Sequence, residues 1–337
     1  MQKRVSLKDI ANKVGVSIAL VSYVMNGQEK EKRVGAGVVK KIREAAEELN
    51  YQPNQIARSL RMKTTKTIGL IVADIANPFF GQLARIIENE ANQYGYTVIF
   101  GSSDEDEIKS AALINTFLNR QVDGLIIVPA EGSGSQIQSL LKKKIPLVLV
   151  DRYFPEINAS HIVLDNFQAT YDATVHHIKK GLTNIAMVAH KSALVHMKER
   201  IRGYREAMSD HHLSEFICVE EIRFDNYDVD MEKVFSDFEK TNKNINAIVF
   251  ATNTLSIFGL YHIHKNCLKV PENLAFIGFD GGDVFDLFNP PLSFVQQPLE
   301  EMGKESFKIL MDLMNGSSKI SQIMLSPTLI ERDNREC

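Results

Sequence analysis

Ser6 to Gly27 read SLKDIANKVGVSIALVSYVMNG, two short helical stretches with a glycine between them. Ser6, followed three residues later by Asp9, opens the first as a capping-box-like start, with the hydroxyl accepting from an orphan backbone N–H. Leu7, Ile10, Ala11 and Val14 repeat at helical spacing and form one apolar stripe. Gly15 stands where this helix should stop, because glycine accepts the left-handed conformation of a C′ residue. Ser17 can cap a second helix, which Ala19, Leu20, Val21 and Val24 carry and Asn26-Gly27 ends. This is the build of a helix-turn-helix, whose second helix lies in the DNA major groove. Taken alone, the stretch suits an ordinary helical hairpin better.

The flanking sequence weighs against the ordinary hairpin. A third helix is predicted from Val38 to Asn50, with Val39, Ile42, Ala46 and Leu49 facing inward. Three short helices make a small core, marginal by itself. Residues 1–66 hold 14 Lys+Arg and 6 Asp+Glu, a charge of +8. The whole chain carries 39 and 42, or −3, so residues 67–337 carry 25 and 36, or −11. A basic head on an acidic body is the electrostatic footprint of a phosphate-binding module.

Beyond the head the pattern alternates. TIGLIVADI reads as a buried strand and Phe79 to Tyr94 as a helix. YTVIFGSS is a strand and Ile108 to Arg120 a helix. DGLIIVPA, a helix from Ser135 to Lys143, and PLVLVD follow. NIAMVAH, EEIRF, NAIVFAT and LAFIGFD repeat the scheme. Strands alternating with amphipathic helices predict an α/β body whose parallel sheets are covered on both faces. Such sheets bind ligands beyond the carboxyl ends of their strands. Asp74, Asp151, Asp165, Asn253 and Asp280 each stand just past an apolar run. A carboxylate there can accept from neighbouring hydroxyls, and Asn can both donate and accept. Phe79 and Phe80, following the first strand, can stack on a sugar ring. Each of these positions is also compatible with a plain loop cap or surface residue.

Signals for enzyme chemistry are poor. AEGSGSQ lies between a strand and a helix, but it is neither GxGxxG nor a Walker A sequence; it reads as a helix-capping loop. The histidines, including His176-His177, His211-His212 and His262 with His264, lack partners at zinc-ligand spacing, so no metal and no cofactor are expected. Cys218, Cys267 and Cys337 are odd in number, which fits a reducing, cytoplasmic setting. No leader precedes the first helix and no apolar run has membrane-spanning length, so no membrane partner is expected.

SLKDIANKVGVSIALVSYVMNG, then NYQPNQIARSLRMKTTKTIGLIVADIANPFF (residues 50–80), ERIRGY, IGFDG and PLSFVQQPLEEMG resemble the LacI/GalR family of bacterial transcription regulators. The resemblance covers essentially the whole chain. It implies an all-α helix-turn-helix domain at residues 1–52 and a hinge helix and linker at 53–66. It also implies a two-lobed, periplasmic-binding-protein-like body at 67–337, with a cleft and three crossover segments. In the family the second helix reaches base edges, which points to Ser17, Ile18, Ala19, Ser22 and Tyr23 here, with Ser6 and Asn26 flanking them. Leu20 and Tyr23 stand where the family usually has threonine and arginine. Arginine reads guanine best, through paired bonds to O6 and N7, so a different operator is expected.

The resemblance gives PNQIARSL (residues 53–60) a role that its composition alone would not, since a charged, Pro-started stretch also suits a plain linker. It implies that Leu60 wedges into the minor groove, bending the duplex. Ala57 would let two such helices approach, and Asn54, Arg58 and Arg61 belong to the same DNA-contacting set. In the body the implied effector contacts are Phe79, Phe80, Asp151, Asp165, Arg200, Asn253 and Asp280, with Phe224 the weakest assignment. Thr254 and Gly281 stand where the family often has aspartates, which leaves the ligand open among a saccharide, a nucleobase and a phosphoprotein. The expected partners are thus a pseudo-palindromic double-stranded operator, a small-molecule effector with a saccharide foremost, and a second copy of the chain. The rival expectation is a small-molecule-binding or enzymatic body with a vestigial head.

Overall fold

The computed structural model describes residues 5–52, 64–224, 226–240, 244–265, 274–282, 285 and 292–332. The chain divides into two compact units, Met1–Thr65 and Lys66–Cys337.

In the first unit, α1 (Leu7–Val14), α2 (Ile18–Met25) and α3 (Ala36–Glu48) enclose a core of Ile10, Ala11, Val21, Val24, Ile42, Ala45 and Ala46. The start of α1 is a capping box, with Ser6 as the N-cap and Asp9 at N3. The Asp9 carboxylate takes the Ser6 N–H at 2.8 Å and also the Ser6 Oγ–H at 2.7 Å. Gly15 takes φ +75°, and its N–H closes α1 on the Ala11 carbonyl. Ser17 Oγ accepts the Leu20 N–H at 3.2 Å and so caps α2. The third helix begins at Ala36, two residues before the predicted start. Gly35, extended at ψ 136°, is its N-cap and offers no side-chain bond. The preceding connector is folded back by the Val34 N–H on the Glu29 carbonyl, at 2.8 Å, and by an Arg43–Glu29 ion pair at 2.7 Å.

The second unit is built of two lobes. The first lobe's sheet joins β1 (Thr67–Val72), β2 (Thr97–Ser102), β3 (Gly124–Ile127), β4 (Leu147–Val150), β5 (Ser160–Leu164) and β11 (Gln322–Leu325). Its order is β11-β5-β4-β3-β1-β2, with every neighbouring pair parallel. The second lobe's sheet joins β6 (Ile185–His190), β7 (Cys218–Ile222), β8 (Ala247–Phe250), β9 (Ala275–Phe279), β10 (Ser293–Gln296) and β12 (Thr328–Ile330). Its order is β12-β10-β9-β8-β6-β7, antiparallel only at β10/β12. Strand β7 covers CVEEI instead of EEIRF, so Arg223 and Phe224 lie past its end. Strands β3, β4, β5, β6 and β8 are buried along their whole length. That is why they read as continuous apolar runs and not as alternating ones.

Helices α4 (Pro78–Gln93), α5 (Glu107–Asn119), α6 (Gly134–Lys142) and α11 (Leu299–Met314) belong to the first lobe. Helices α7 (Asn166–Lys179), α8 (Val195–Asp210), α9 (Tyr227–Lys240) and α10 (Asn253–Lys265) belong to the second. The chain passes between the lobes three times: from β5 to α7 at Asp165, from β10 to α11 at residues 297–298, and from β11 to β12 at residues 326–327. Helices α7 and α8 approach closely at Gly203, where a Cβ would stand 2.2 Å from the Phe167 carbonyl oxygen.

Candidate functional site

The carboxyl ends of both sheets meet at a cleft, and the local chain path explains which side chains reach it. On the first lobe, Asn77 Oδ1 accepts the Phe79 N–H at 3.0 Å and Pro78 opens α4. This start sets the Phe79 and Phe80 rings edge to face, centroids 5.0 Å apart at 82°. Asp151 ends β4 at φ +68° and is buried there. The Arg152 guanidinium beside it donates to both oxygens of Glu105, at 2.6 and 2.7 Å, while its Nε lies 3.3 Å from Asp151 Oδ2. Burial pushes the Asp151 carboxyl above its usual range, against the pull of Arg152. Burial also opposes the Arg152 charge, but Glu105 holds that pKa above its ordinary value.

The second lobe supplies Arg200 from the middle of α8. Its Nε donates to Asn166 Oδ1 at 2.7 Å, its Nη1 to the Ala251 carbonyl at 2.5 Å, and its guanidinium lies 3.9 Å over the Phe279 ring. Burial lowers its pKa to about 10, with Asp280 and Asp151 opposing. Asp280 ends β9 at φ +50°. Its backbone carbonyl accepts Asn253 Nδ2 at 2.6 Å, and its Oδ2 accepts Gln297 Nε2 at 2.9 Å. Burial raises its pKa to about 6, although Arg200 and the Gln297 bond pull it down. His190 stacks on Phe224, centroids 4.1 Å apart at 14°, with Nε2 3.2 Å from Thr252 Oγ1. Burial, with Arg152 adding to it, lowers the His190 pKa to about 3, so the ring is neutral. His196 is held well below its ordinary value by burial and the same arginines.

Phe79, Phe80, Asp151, Arg200, Phe224, Asn253 and Asp280 thus line one cleft, as does Asp74. Asp165 does not line it. It stands at a crossover, where the first N–H groups of α7 need a partner, and its Oδ1 accepts the Gln168 N–H at 2.9 Å. Glu105, Arg152, His190, His196, Tyr227, Thr252 and Gln297 also line the cleft and escape sequence reasoning. Two of them left a trace: Arg152 directly follows Asp151, and Gln297 lies inside PLSFVQQPLEEMG. Among the described residues, the buried Asn253 Oδ1 and Gln297 Oε1 have no hydrogen-bond partner. A bound molecule would therefore meet two waiting acceptors, two carboxylates at strand ends, and aromatic rings on both walls. Among the described residues, no group of three or more His, Cys, Asp or Glu could hold a metal ion.

In the head, Ser17, Ile18 and Ala19 are exposed at the start of α2, Ile18 at 48%. Leu20 instead packs against the three-helix core, which accounts for an apolar residue at that position. Asn26 Nδ2 donates to the Ser22 carbonyl at 2.6 Å and to Ser22 Oγ at 3.2 Å. Lys32 Nζ stands 5.8 Å from the centroid of the Tyr23 ring. Asn54, Ala57, Arg58, Leu60 and Arg61 lie outside the described residues.

A helix-turn-helix unit followed by a two-lobed body with a polar cleft defines the class of ligand-responsive DNA-binding regulators. Comparison with known proteins makes the assignment specific. Residues 6–54 match the family described as bacterial regulatory proteins, lacI family, and residues 65–332 match periplasmic binding proteins and sugar binding domain of LacI family. Catabolite control protein A of Priestia megaterium is 32% identical over 332 residues, 97% of this chain and 98% of that protein. The transcriptional repressor PurR of Aliivibrio fischeri (strain MJ11) is 30% identical over 336 residues, 98% of each. The lac repressor dimer bound to operator and the anti-inducer ONPF shares the fold, with a TM-score of 0.85 at 21% identity, covering 98% of this chain and 99% of that one. The chain belongs to the LacI family. It is a DNA-binding transcriptional regulator with an effector-binding body, and not an enzyme. Among the described residues, no helix is long and apolar enough to cross a membrane.

Proposed function

We propose that the chain represses transcription in the cytoplasm as a homodimer on a pseudo-palindromic operator, and that an uncharged saccharide in the cleft switches it. The observation that carries this reading is the pairing state of the cleft arginines. Arg152 is gripped by Glu105, and Arg200 by Asn166 and the Ala251 carbonyl. A phosphate or carboxylate ligand would have to compete for cations already engaged and would face Asp74, Asp151 and Asp280. Hydroxyl groups suit the same cleft. They can donate to the carboxylates and to the partnerless Asn253 and Gln297 oxygens, while a sugar's C–H face rests on Phe79, Phe80 or Phe224. Switching requires the ligand to bind the two conformations of the body with different affinity.

Two measurements test the reading. Thermal shift of the full chain against neutral sugars, sugar phosphates and nucleobases should single out a neutral sugar. Stabilisation by sugar phosphates or nucleobases instead overturns the ligand class. Mobility shift on the DNA upstream of its own coding region should then show salt-sensitive binding whose strength that sugar changes. Binding at no sugar concentration overturns the regulatory reading.

A further inference from the structure

The stretch AEGSGSQ (residues 130–136), expected only to cap a helix, carries Glu131 across to the other lobe. Glu131 Oε2 accepts the Ser192 hydroxyl at 3.0 Å and the Ala193 N–H at 2.9 Å. Both donors belong to the segment joining β6 to α8 in the second lobe. The next residue, Leu194, is 5% exposed and lies in the apolar cluster of the first lobe with Ile137, Phe154 and Ile157. A polar grip and an apolar plug therefore sit side by side on one rim of the cleft.

Each half of this contact is built in advance. The loop bearing Glu131 is braced by Ser133 Oγ on the Ala130 carbonyl, at 2.7 Å, and by Gln136 Nε2 on the Glu107 carbonyl, at 2.7 Å. Gly132 takes φ +82°, a left-handed conformation that favours glycine, beside the Glu107 carboxylate. On the other side, Ser192 Oγ accepts the Leu194 N–H at 3.2 Å. Leu194 is the N-cap residue of α8, the helix that brings His196 and Arg200 into the cleft. Just before this loop, the Pro129 carbonyl accepts from Arg152 Nη1 at 3.5 Å, which ties the loop's base to the first lobe's own wall of the cleft.

We propose that Glu131 and Leu194 form an interlobe clasp that holds the cleft closed without ligand and so sets the equilibrium an effector must shift. The proposal rests on the cleft being the effector site, but its test uses neither effector nor DNA. Amide hydrogen exchange of the ligand-free full chain is compared among wild type, Glu131→Ala, Glu131→Gln and Leu194→Ala. Circular dichroism confirms that each variant is folded. Opening of the clasp speeds exchange about fivefold or more in residues 191–195 and also in the cleft walls, residues 74–80 and 252–256. Glu131→Gln, whose amide oxygen still accepts, falls between wild type and Glu131→Ala. Glu131 is exposed, so its replacement leaves the cores intact even where Leu194→Ala does not fold. Faster exchange confined to residues 191–195, with both cleft walls at wild-type rates, overturns the clasp and leaves Glu131 a loop cap. Failure of the sugar screen with this exchange pattern present would instead fault the ligand assignment.

Discussion

Arg152 and Glu105 meet through two parallel hydrogen bonds, Nη1 to Oε2 at 2.6 Å and Nη2 to Oε1 at 2.7 Å. The Arg152 side chain is 7% exposed and that of Glu105 16%. A planar guanidinium matched to both carboxylate oxygens is the strong, geometrically specific form of ion pair. It keeps the Arg152 charge on the first lobe's wall, where it also lies 6.0 Å from the Phe80 ring. Glu105 reaches this place through two successive left-handed residues, Asp104 at φ +51° and Glu105 at φ +58°.

Glu105→Ala should therefore destabilise the body markedly. The substitution leaves a buried guanidinium with Asp151 as its remaining carboxylate neighbour. Breaking a buried pair from one side costs about 3 kcal/mol. Chemical denaturation of the full chain measures it. A loss under about 1 kcal/mol would mean that the arginine reaches water when released.

Arg200→Lys should keep the fold and the charge but lose the ligand response. An ammonium can replace one of the two bonds, to Asn166 or to Ala251, yet it has no planar face to lie over Phe279. The expected outcome is DNA binding at wild-type strength with no change on adding the sugar that stabilises wild type. A retained response would show that Arg200 does not serve the cleft.

How much of this was legible follows from where each residue gets its position. Asp151, Asn253 and Asp280 were readable because a polar residue after an apolar run marks a strand's carboxyl end, and parallel strands aim those ends at one cleft. Asp165 follows the same rule in sequence, but the chain crosses lobes there and the helix start claims its carboxylate. Glu105 was not readable, because its place depends on two left-handed residues that no periodicity announces. His190 ends a strand as well, yet its neutrality comes from burial and from the Arg152 charge nearby, both set by tertiary packing. In the head, Gly15 was readable because the left-handed conformation singles out its residue type. The start of α3 was misplaced because Gly35 caps without a side chain.

Gly203→Ala should unfold the second lobe at lower temperature than wild type. The added methyl would meet the Phe167 carbonyl oxygen at 2.2 Å and Thr170 Oγ1 at 2.5 Å. The first is backbone and cannot swing aside. Thr170 Oγ1 already donates to the Arg200 carbonyl at 2.6 Å, so the strain reaches the residue that serves the cleft. Forcing a methyl into a packed interface costs about 1–3 kcal/mol. Calorimetry reads the shift, and an unchanged midpoint would show that α7 and α8 can part without loss.

Asp280 predicts the sign of a pH effect. Its folded pKa, about 6, lies above its ordinary value of 3.8 because burial disfavours the carboxylate. The native state thus binds this proton more tightly than the unfolded chain does. Ionisation on raising the pH costs stability across the window from about 4 to about 6, after which the contribution is level. Two pKa units correspond to roughly 3 kcal/mol at most. Asp280→Asn cannot ionise, and its amide oxygen can still accept from Gln297. Urea denaturation of both proteins should give a stability difference that is constant above about pH 6.5 and moves in favour of wild type as the pH falls to 4. Asp151 titrates in both proteins and so largely cancels from the comparison. A difference that stays constant from pH 4 to 7 would mean that the Asp280 carboxyl titrates as it does in the unfolded chain, in contact with water, and that burial does not hold its proton.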